Sequence, residues 1–182
     1  MTKQTISRTT RFASICASLM LFVVAFPCNM TAQNSDGLFT IYLVRHAEKQ
    51  TDSNDPPLTE CGVERSLSFS ALFESVALEA VYSTDYKRTQ STALPTATDQ
   101  GLSIQSYDPD ALGEMAEELI RNGQDALVVG HSNTTAVLAG ILVGEELGSF
   151  DESIYNRVYQ VVVSKSARRL HILHTSFDCL VR

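Results

Sequence analysis

One segment of the chain, residues 38–44 with the sequence LFTIYLV, constrains the fold more than any other. Its residues are apolar or β-branched almost without interruption, which is typical of a strand that is covered on both faces. Such strands occur in sheets that carry helices on each side. We therefore expect a layered α/β fold.

The rest of the chain alternates between strand-like and helix-like segments. Further strands are predicted at residues 78–84, 102–108 and 125–130, and two more within 157–176, where a polar turn joins them as an antiparallel edge. Helices are predicted at residues 58–75, 86–100, 109–123 and 131–144. This alternation predicts a three-layer α/β sandwich with a mostly parallel central sheet.

Local signals define the predicted helices. Thr59 is a candidate cap for the first helix, Gly123 ends the third, and Pro95 should kink or end the second. Apolar residues at helical spacing mark the faces expected to be buried. They are Val63, Leu67 and Leu72 in the first helix, and Val137, Leu138, Ile141 and Leu142 in the last.

The first 33 residues have the layout of a secretory signal peptide. Three basic residues precede the apolar run FASICASLMLFVVAF, and small and polar residues follow it. The run is shorter than the ~20 residues of a membrane-spanning helix, so an uncleaved anchor is the weaker alternative. Cys28 suggests a lipoprotein, but the preceding Phe26 and Pro27 are bulky and rigid. We expect cleavage near Ala32.

This interpretation predicts a leader at residues 1–33 and one domain at 34–182, exported to the periplasm or the extracellular space. Membrane contact would then occur only through an uncleaved leader. The whole chain has 14 basic and 21 acidic residues, and the leader holds three of the bases and no acid. The remaining net charge of −10 would repel nucleic acid, which we exclude as a partner. Of its two cysteines, Cys61 and Cys179, an oxidising compartment would allow pairing, but separate thiols are equally compatible with the sequence.

Basic and imidazole side chains follow three of the predicted strands. Arg45 and His46 end the first strand, Arg88 follows the second, and His131 follows the strand at 125–130. Ligands of open α/β sheets bind beyond the carboxyl ends of the strands. Each residue alone would be unremarkable on a protein surface. Together, two guanidinium groups, two imidazoles and a helix start predict a site for a multiply charged anion such as phosphate.

The segments LVRHAEK, VYSTDYKRTQSTA and VVGHSN resemble the three signature segments of the histidine phosphatase superfamily, which has the phosphoglycerate mutase-like fold. PPLTECG resembles that family's turn into its first helix. The resemblance covers essentially the whole chain after the leader. It implies that His46 is the nucleophile that accepts a phosphoryl group, and that Arg45, Arg88 and a protonated His131 hold the phosphate oxygens. No metal or other cofactor is implied.

Two positions depart from the family pattern. Ala47 stands where the family usually has glycine, which should be tolerated if the backbone there has a negative φ. The glutamate that protonates the leaving group in larger members is not found. Asp108 is the best-placed substitute, followed by Glu48 and Asp110, although Asp108 could equally be a turn residue before Pro109.

The expected function is that of a metal-independent phosphatase of the short, phosphohistidine-phosphatase type. It would hydrolyse a small phosphorylated substrate or a phosphoprotein, including phosphohistidine, through a phosphohistidine on His46. Two alternatives stay open. One is a phosphoglycerate mutase, disfavoured because the chain lacks room for substrate-covering inserts, and the other is a non-catalytic phosphate-binding module.

Overall fold

The computed structural model describes residues 37–179, so the predicted leader lies outside the described residues. Strands and helices alternate along most of this part of the chain. In chain order they are β1 (Phe39–Arg45), α1 (Glu60–Phe73), β2 (Ala80–Ser83), α2 (Lys87–Asp99), β3 (Ile104–Ser106), α3 (Leu112–Asn122), β4 (Ala126–Gly130), α4 (Thr135–Val143), β5 (Arg157–Val163) and β6 (Arg168–His174).

The six strands form one sheet in the order β3-β2-β4-β1-β5-β6. The first four strands in this order are parallel, and β5 and β6 are antiparallel to their neighbours. Arg45 is in register with Gly130, and Ser83 with Val129. The carboxyl ends of β1, β4 and β2 therefore meet at one edge, as the predicted α/β sandwich requires.

Both faces of the sheet are covered. Leu43 belongs to an apolar cluster with residues of α3 and α4, whereas its neighbour Val44 belongs to one with residues of α1 and α2. Successive side chains of a strand point to opposite faces, so β1 contributes to both clusters. This explains the continuous apolar run from which the fold was predicted.

Most helix ends follow the local signals. The Thr59 hydroxyl accepts a hydrogen bond from Gly62 N at 3.0 Å, and Gly123 ends α3 with a φ of 61°. Pro95, however, does not end α2, which continues to Asp99. Packing of α2 against α1 and the sheet retains the helix despite the missing N–H donor.

The prediction of the buried face of α1 was wrong. Val63, Leu67 and Leu72 are 48%, 55% and 49% exposed. The buried face instead carries Phe69 and Phe73 together with polar residues that have hydrogen-bond partners: Arg65 with Glu48, Ser66 with Val63 O, and Ser70 with Asp99. These partners come largely from other parts of the chain, so apolar spacing alone pointed to the wrong side. In α4, Leu138 and Leu142 are buried as expected but Ile141 is exposed.

Cys61 and Cys179 form a disulfide, with Cα atoms 5.7 Å apart. Pairing is therefore the alternative that the structure adopts. The bond attaches the segment after β6 to the start of α1. Within residues 37–179, no helix has the length and apolar character needed to cross a membrane.

Candidate active site

A polar pocket of about 250 Å³ lies at the carboxyl edge of the parallel strands. Arg45, His46, Arg88 and His131 all line it. They come from the end of β1, the first turn of α2 and the loop after β4. The structure thus brings together the four residues that the sequence predicted would converge.

His46 is held as a neutral imidazole in one tautomer. Its Nδ1 lies 2.7 Å from the Ala47 carbonyl oxygen, which can only accept, so Nδ1 carries the proton and Nε2 the lone pair. The backbone N–H of His46 donates to Gly130 O at 2.9 Å. Burial, followed by the nearby charge of Arg45, lowers the pKa of His46 to about 3. At neutral pH its Nε2 therefore carries a lone pair and no proton.

Ala47 occupies its position without backbone strain. It is fully buried, and its N–H donates to the Thr92 hydroxyl on α2 at 2.9 Å. Among residues 37–179, no residue other than glycine has a positive φ. The condition under which alanine should replace the family glycine is therefore met.

Arg45 is buried and fixed from one side only. Its Nη1 donates to the carbonyl oxygens of Glu152 and of Ile154, the latter at 3.4 Å, and its guanidinium carbon lies 4.2 Å from the centre of the Tyr155 ring. Its Nε is buried and has no hydrogen-bond partner among the described residues. Burial lowers the pKa of Arg45, and the neighbouring Tyr155 and Glu152 oppose this shift.

Arg88 has still fewer partners. Its guanidinium stacks on the ring of Tyr86 at 4.2 Å, and Nη1 lies 3.7 Å from Asp55 Oδ1, too far for a hydrogen bond. Within the described part of the chain, its buried Nε and Nη1 have no hydrogen-bond partner. Unsatisfied buried donors are costly, so unpaired N–H groups on two arginines of one pocket indicate an oxyanion site.

Without a bound anion, burial favours the neutral form of the His131 ring. Its Nε2 lies 2.9 Å from the Thr84 hydroxyl, and its ring centre is 5.5 Å from that of His46. Burial lowers its pKa to about 4, with further contributions from Arg88 and Arg45. Without a ligand, the positive charge of the pocket therefore comes from Arg45, Arg88 and Lys49 rather than from His131.

The carboxylate candidates have different positions. Asp108 does not line the pocket: its side chain accepts a hydrogen bond from Asp110 N at 2.9 Å, as in a turn. Asp110 does line the pocket. Glu48 points away from it and pairs with Arg65 at 2.6 Å. The geometry thus favours Asp110 over Asp108 as a source of protons for the pocket.

Other residues line the pocket without having been predicted as site residues, and three of them have ionisable side chains. They are Tyr86, which also lies 5.1 Å from the His131 ring, Glu152 and Lys49. Tyr86 precedes Arg88 by two residues, so its proximity had a sequence signal. Glu152 lies in an irregular segment between α4 and β5, and no pattern in the sequence marked it.

Two other features compete as sites. A larger cavity of about 700 Å³ lies at the opposite end of the sheet, near Phe39, Gly123 and Val163. Ligands of this fold class bind at the carboxyl ends of the strands, so the smaller pocket is the better candidate. In residues 37–179, one group of side chains has the spacing of metal ligands: Glu48, Cys61 and Cys179. Its sulfurs are joined to each other and its carboxylate is paired with Arg65, so it suits a metal ion poorly.

Comparison with known proteins adds independent findings. A family model described as histidine phosphatase superfamily (branch 1) matches residues 41–117. No curated protein matches the chain significantly in sequence.

Solved structures share the fold at low sequence identity. The protein histidine phosphatase SixA in complex with tungstate is 17% identical, with a TM-score of 0.63, over 75% of this chain and 97% of that chain. The alpha-ribazole phosphatase from Shigella flexneri is 16% identical, with a TM-score of 0.61, over 75% and 96%. A mycobacterial glucosyl-3-phosphoglycerate phosphatase is 13% identical, with a TM-score of 0.64, over 76% and 100%.

The matched segment contains Arg45, His46 and Arg88, and His131 joins them where the shared fold places its ligand-binding edge. Residues 41–117 therefore match the histidine phosphatase superfamily, and the described part of the chain has the phosphoglycerate mutase-like fold.

Proposed function

We propose that the protein is a metal-independent phosphatase that hydrolyses a phosphomonoester or a phosphohistidine through a phosphohistidine intermediate on His46. One observation carries this proposal: a neutral imidazole with its lone pair on Nε2 lies beside the buried Arg45 and the partly buried Arg88, both of which have buried N–H groups without a partner among the described residues. The imidazole is a nucleophile at neutral pH, and the arginine N–H groups are donors for the oxygens of the phosphoryl group that the imidazole attacks.

In the first half of the reaction, His46 Nε2 attacks phosphorus and the bond from phosphorus to the leaving group breaks. Arg45 and Arg88 stabilise the charge on the phosphoryl oxygens. This electrostatic interaction is stronger in a site that excludes water than in bulk solvent. In the second half, a water oxygen bonds to phosphorus and gives one proton to the Asp110 carboxylate, the P–N bond breaks, and its electron pair returns to Nε2. The arginines supply the positive charge that a metal ion supplies in other phosphatases.

His131 changes its charge during this cycle. Its pKa of about 4 results from burial beside two cations. A phosphate dianion would offset those cations and raise the pKa of His131, so the ring would gain a proton as the substrate binds. We propose that His131 then donates to a phosphoryl oxygen.

The leaving group decides whether an acid is needed. Asp110 is the carboxylate of the predicted set that lines the pocket, and we propose it as the proton donor for alkoxide leaving groups. The proteins with similar structures are described as phosphatases of a protein histidine, of alpha-ribazole phosphate and of a sugar-linked phosphoglycerate. The polar pocket of about 250 Å³ would fit a phosphoryl group with a short extension. We propose a small phosphorylated molecule or a phosphoprotein as substrate, acting outside the cytoplasm after export.

The test is a comparison of His46→Ala and Arg88→Ala. His46→Ala should abolish hydrolysis of p-nitrophenyl phosphate yet bind vanadate, because Arg45, Arg88 and His131 remain. Arg88→Ala should weaken vanadate binding and also slow turnover by about 10²–10³. Radioactive phosphate from the substrate should be trapped on His46 in wild type.

The neighbouring Lys87→Gln is the matched control, since the Lys87 side chain is exposed and does not line the pocket. Undiminished turnover by His46→Ala, free of contaminating phosphatase, would overturn the mechanism. Vanadate binding without any phosphoryl transfer would favour the binding module, and transfer between phosphoglycerate positions would favour the mutase.

A further inference from the structure

Arg65 is a buried arginine that the proposed mechanism leaves without a role. It lies on α1 and is only 4% exposed. Its Nε lies 2.9 Å from both carboxylate oxygens of Glu48, and its Nη2 lies 2.6 Å from Glu48 Oε1. A largely buried pair of this kind, in which the Glu48 side chain is 18% exposed, contributes little net stability compared with apolar packing, but it specifies one geometry.

The pair of Arg65 and Glu48 fixes the conformation of the loop that carries His46, the proposed nucleophile. Glu48 follows His46 by two residues, and its carbonyl oxygen accepts a hydrogen bond from Thr59 N at 2.9 Å. The backbone of Glu48 is therefore tied to the helix cap, and its side chain is tied to the next turns of α1. The loop that carries His46 is held to α1 at both of these points.

The same guanidinium also approaches the aromatic ring that packs against Arg45. Its carbon lies 5.9 Å from the centre of the Tyr155 ring, and the Arg45 guanidinium lies 4.2 Å from that ring. The two cations thus share one aromatic ring, within the range of cation–π contacts. The segment of Tyr155 also supplies the carbonyl acceptors of Arg45, at Glu152 and Ile154.

The segment after β6 completes the surroundings of Arg65. Its Nη1 donates to Phe177 O at 3.2 Å, and its guanidinium carbon lies 4.9 Å from the Phe177 ring. The disulfide between Cys61 and Cys179 holds this segment against α1. Arg65 therefore joins three separate parts of the chain: the nucleophile loop, the wall behind Arg45 and the disulfide-bound tail.

We infer that Arg65 is a positioning residue for the phosphate site, which keeps His46 and Arg45 aligned by holding Glu48 and the Tyr155 segment. This inference rests on the proposed function, because it assigns Arg65 a part in binding the phosphoryl group. Arg65 does not line the pocket, so it acts through these neighbours. Its forked donor geometry is essential, and lysine cannot replace it.

The experiment compares Arg65→Lys, the double variant Glu48→Gln/Arg65→Gln and the exposed control Arg169→Gln on β6 with wild type. The double variant removes both charges and so avoids an unpaired buried carboxylate. The readouts are the vanadate dissociation constant, kcat and KM for p-nitrophenyl phosphate, the melting temperature and the fraction of sites that form phosphohistidine. We expect both Arg65 variants to bind vanadate about tenfold more weakly, with KM raised to match, because small misplacements of binding groups are costly.

The control variant should bind vanadate and turn over substrate like wild type. In the Arg65 variants, the fraction of sites that form phosphohistidine should stay at the wild-type level. The inference is overturned if folded Arg65 variants keep vanadate affinity and kcat/KM within about twofold of wild type. It is also overturned if activity falls only in proportion to the fraction of sites, since this is the mark of a purely structural role. If wild type binds vanadate but does not turn over substrate, the proposed phosphatase activity fails while the vanadate comparison still decides the role of Arg65. If wild type does not bind vanadate, both proposals fail.

Discussion

At the scale of single residues, the main feature of the site is a set of polar groups that have no hydrogen-bond partner within the described protein. Arg45 Nε and Arg88 Nε and Nη1 are buried N–H groups without a hydrogen-bond partner among residues 37–179. His46 Nδ1, in contrast, is fixed by the Ala47 carbonyl oxygen, which leaves Nε2 to react. Each side chain is thus held by one end only, and the other end is available to a phosphoryl group.

The carboxylates after β3 give a prediction at this scale. Asp110→Asn should slow hydrolysis of an alkyl phosphate by about 10²–10⁴ but affect p-nitrophenyl phosphate little, because a good leaving group does not need an acid. Asp108→Asn should affect the two substrates alike, since its carboxylate caps the backbone N–H of Asp110. Steady-state kinetics on both substrates distinguishes the two residues. A selective loss for Asp108→Asn would return the acid role to that residue, and equal effects of Asp110→Asn would remove it from Asp110.

At the scale of elements, the start of α1 packs closely against the loop that carries His46. A Cβ atom at Gly62 would lie 2.1 Å from the Glu48 carbonyl oxygen. The same carbonyl oxygen accepts the hydrogen bond from Thr59 N, so it cannot move freely. Glycine is required here by this close approach of two backbones.

Gly62→Ala should therefore shift the Glu48 backbone and disturb both stability and catalysis. We expect a loss of about 1–3 kcal/mol in the free energy of unfolding, as for other overpacked sites, with reduced kcat/KM. Gly113→Ala on α3 is the matched control, because nothing lies within 4 Å of its added Cβ. Denaturant titration of both variants provides the measurement, and equal stability of the two would contradict the close approach.

At the scale of the whole molecule, the two buried histidines of the candidate site affect the stability of the fold at acidic pH. The pKa of His46 is about 3 and that of His131 about 4, both below the ordinary value of 6.5 because the rings are buried. As the pH falls below 6.5, the unfolded chain takes up protons at these positions that the folded protein does not. The contribution of these two histidines to the free energy of unfolding should thus be fully present above pH 6.5 and decline toward pH 3.

This dependence can be measured by urea unfolding at pH 7 and pH 4.5. Each pKa unit corresponds to about 1.4 kcal/mol, so wild type should lose several times RT more than the variant His46→Asn/His131→Asn between these pH values. His171→Gln on β6 is the control, because that ring is exposed. A variant that loses as much stability as wild type would show that the buried imidazoles are not responsible. Bound phosphate should reduce the decline, since it raises the pKa of the rings.

Properties carried by short stretches of the chain could be predicted from sequence. The apolar run of β1 ends at Arg45 and His46, Thr59 caps α1, and Gly123 ends α3, because strand pattern, cap geometry and positive φ depend on neighbouring residues. The convergence of Arg45, His46, Arg88 and His131 was also predictable, since parallel strands bring their carboxyl ends to one edge.

Only the tertiary structure decided which side of α1 is buried, which cysteines meet and which carboxylate faces the pocket. Arg65 is buried because Glu48 and Phe177 satisfy its donors, and Phe177 lies 112 residues away. Cys61 reaches Cys179 across 118 residues, and Asp110 rather than Asp108 lines the pocket because the turn uses the Asp108 carboxylate. In each case the deciding partner is supplied by the folded chain, so the energy of burying a polar group cannot be judged until that partner is in place.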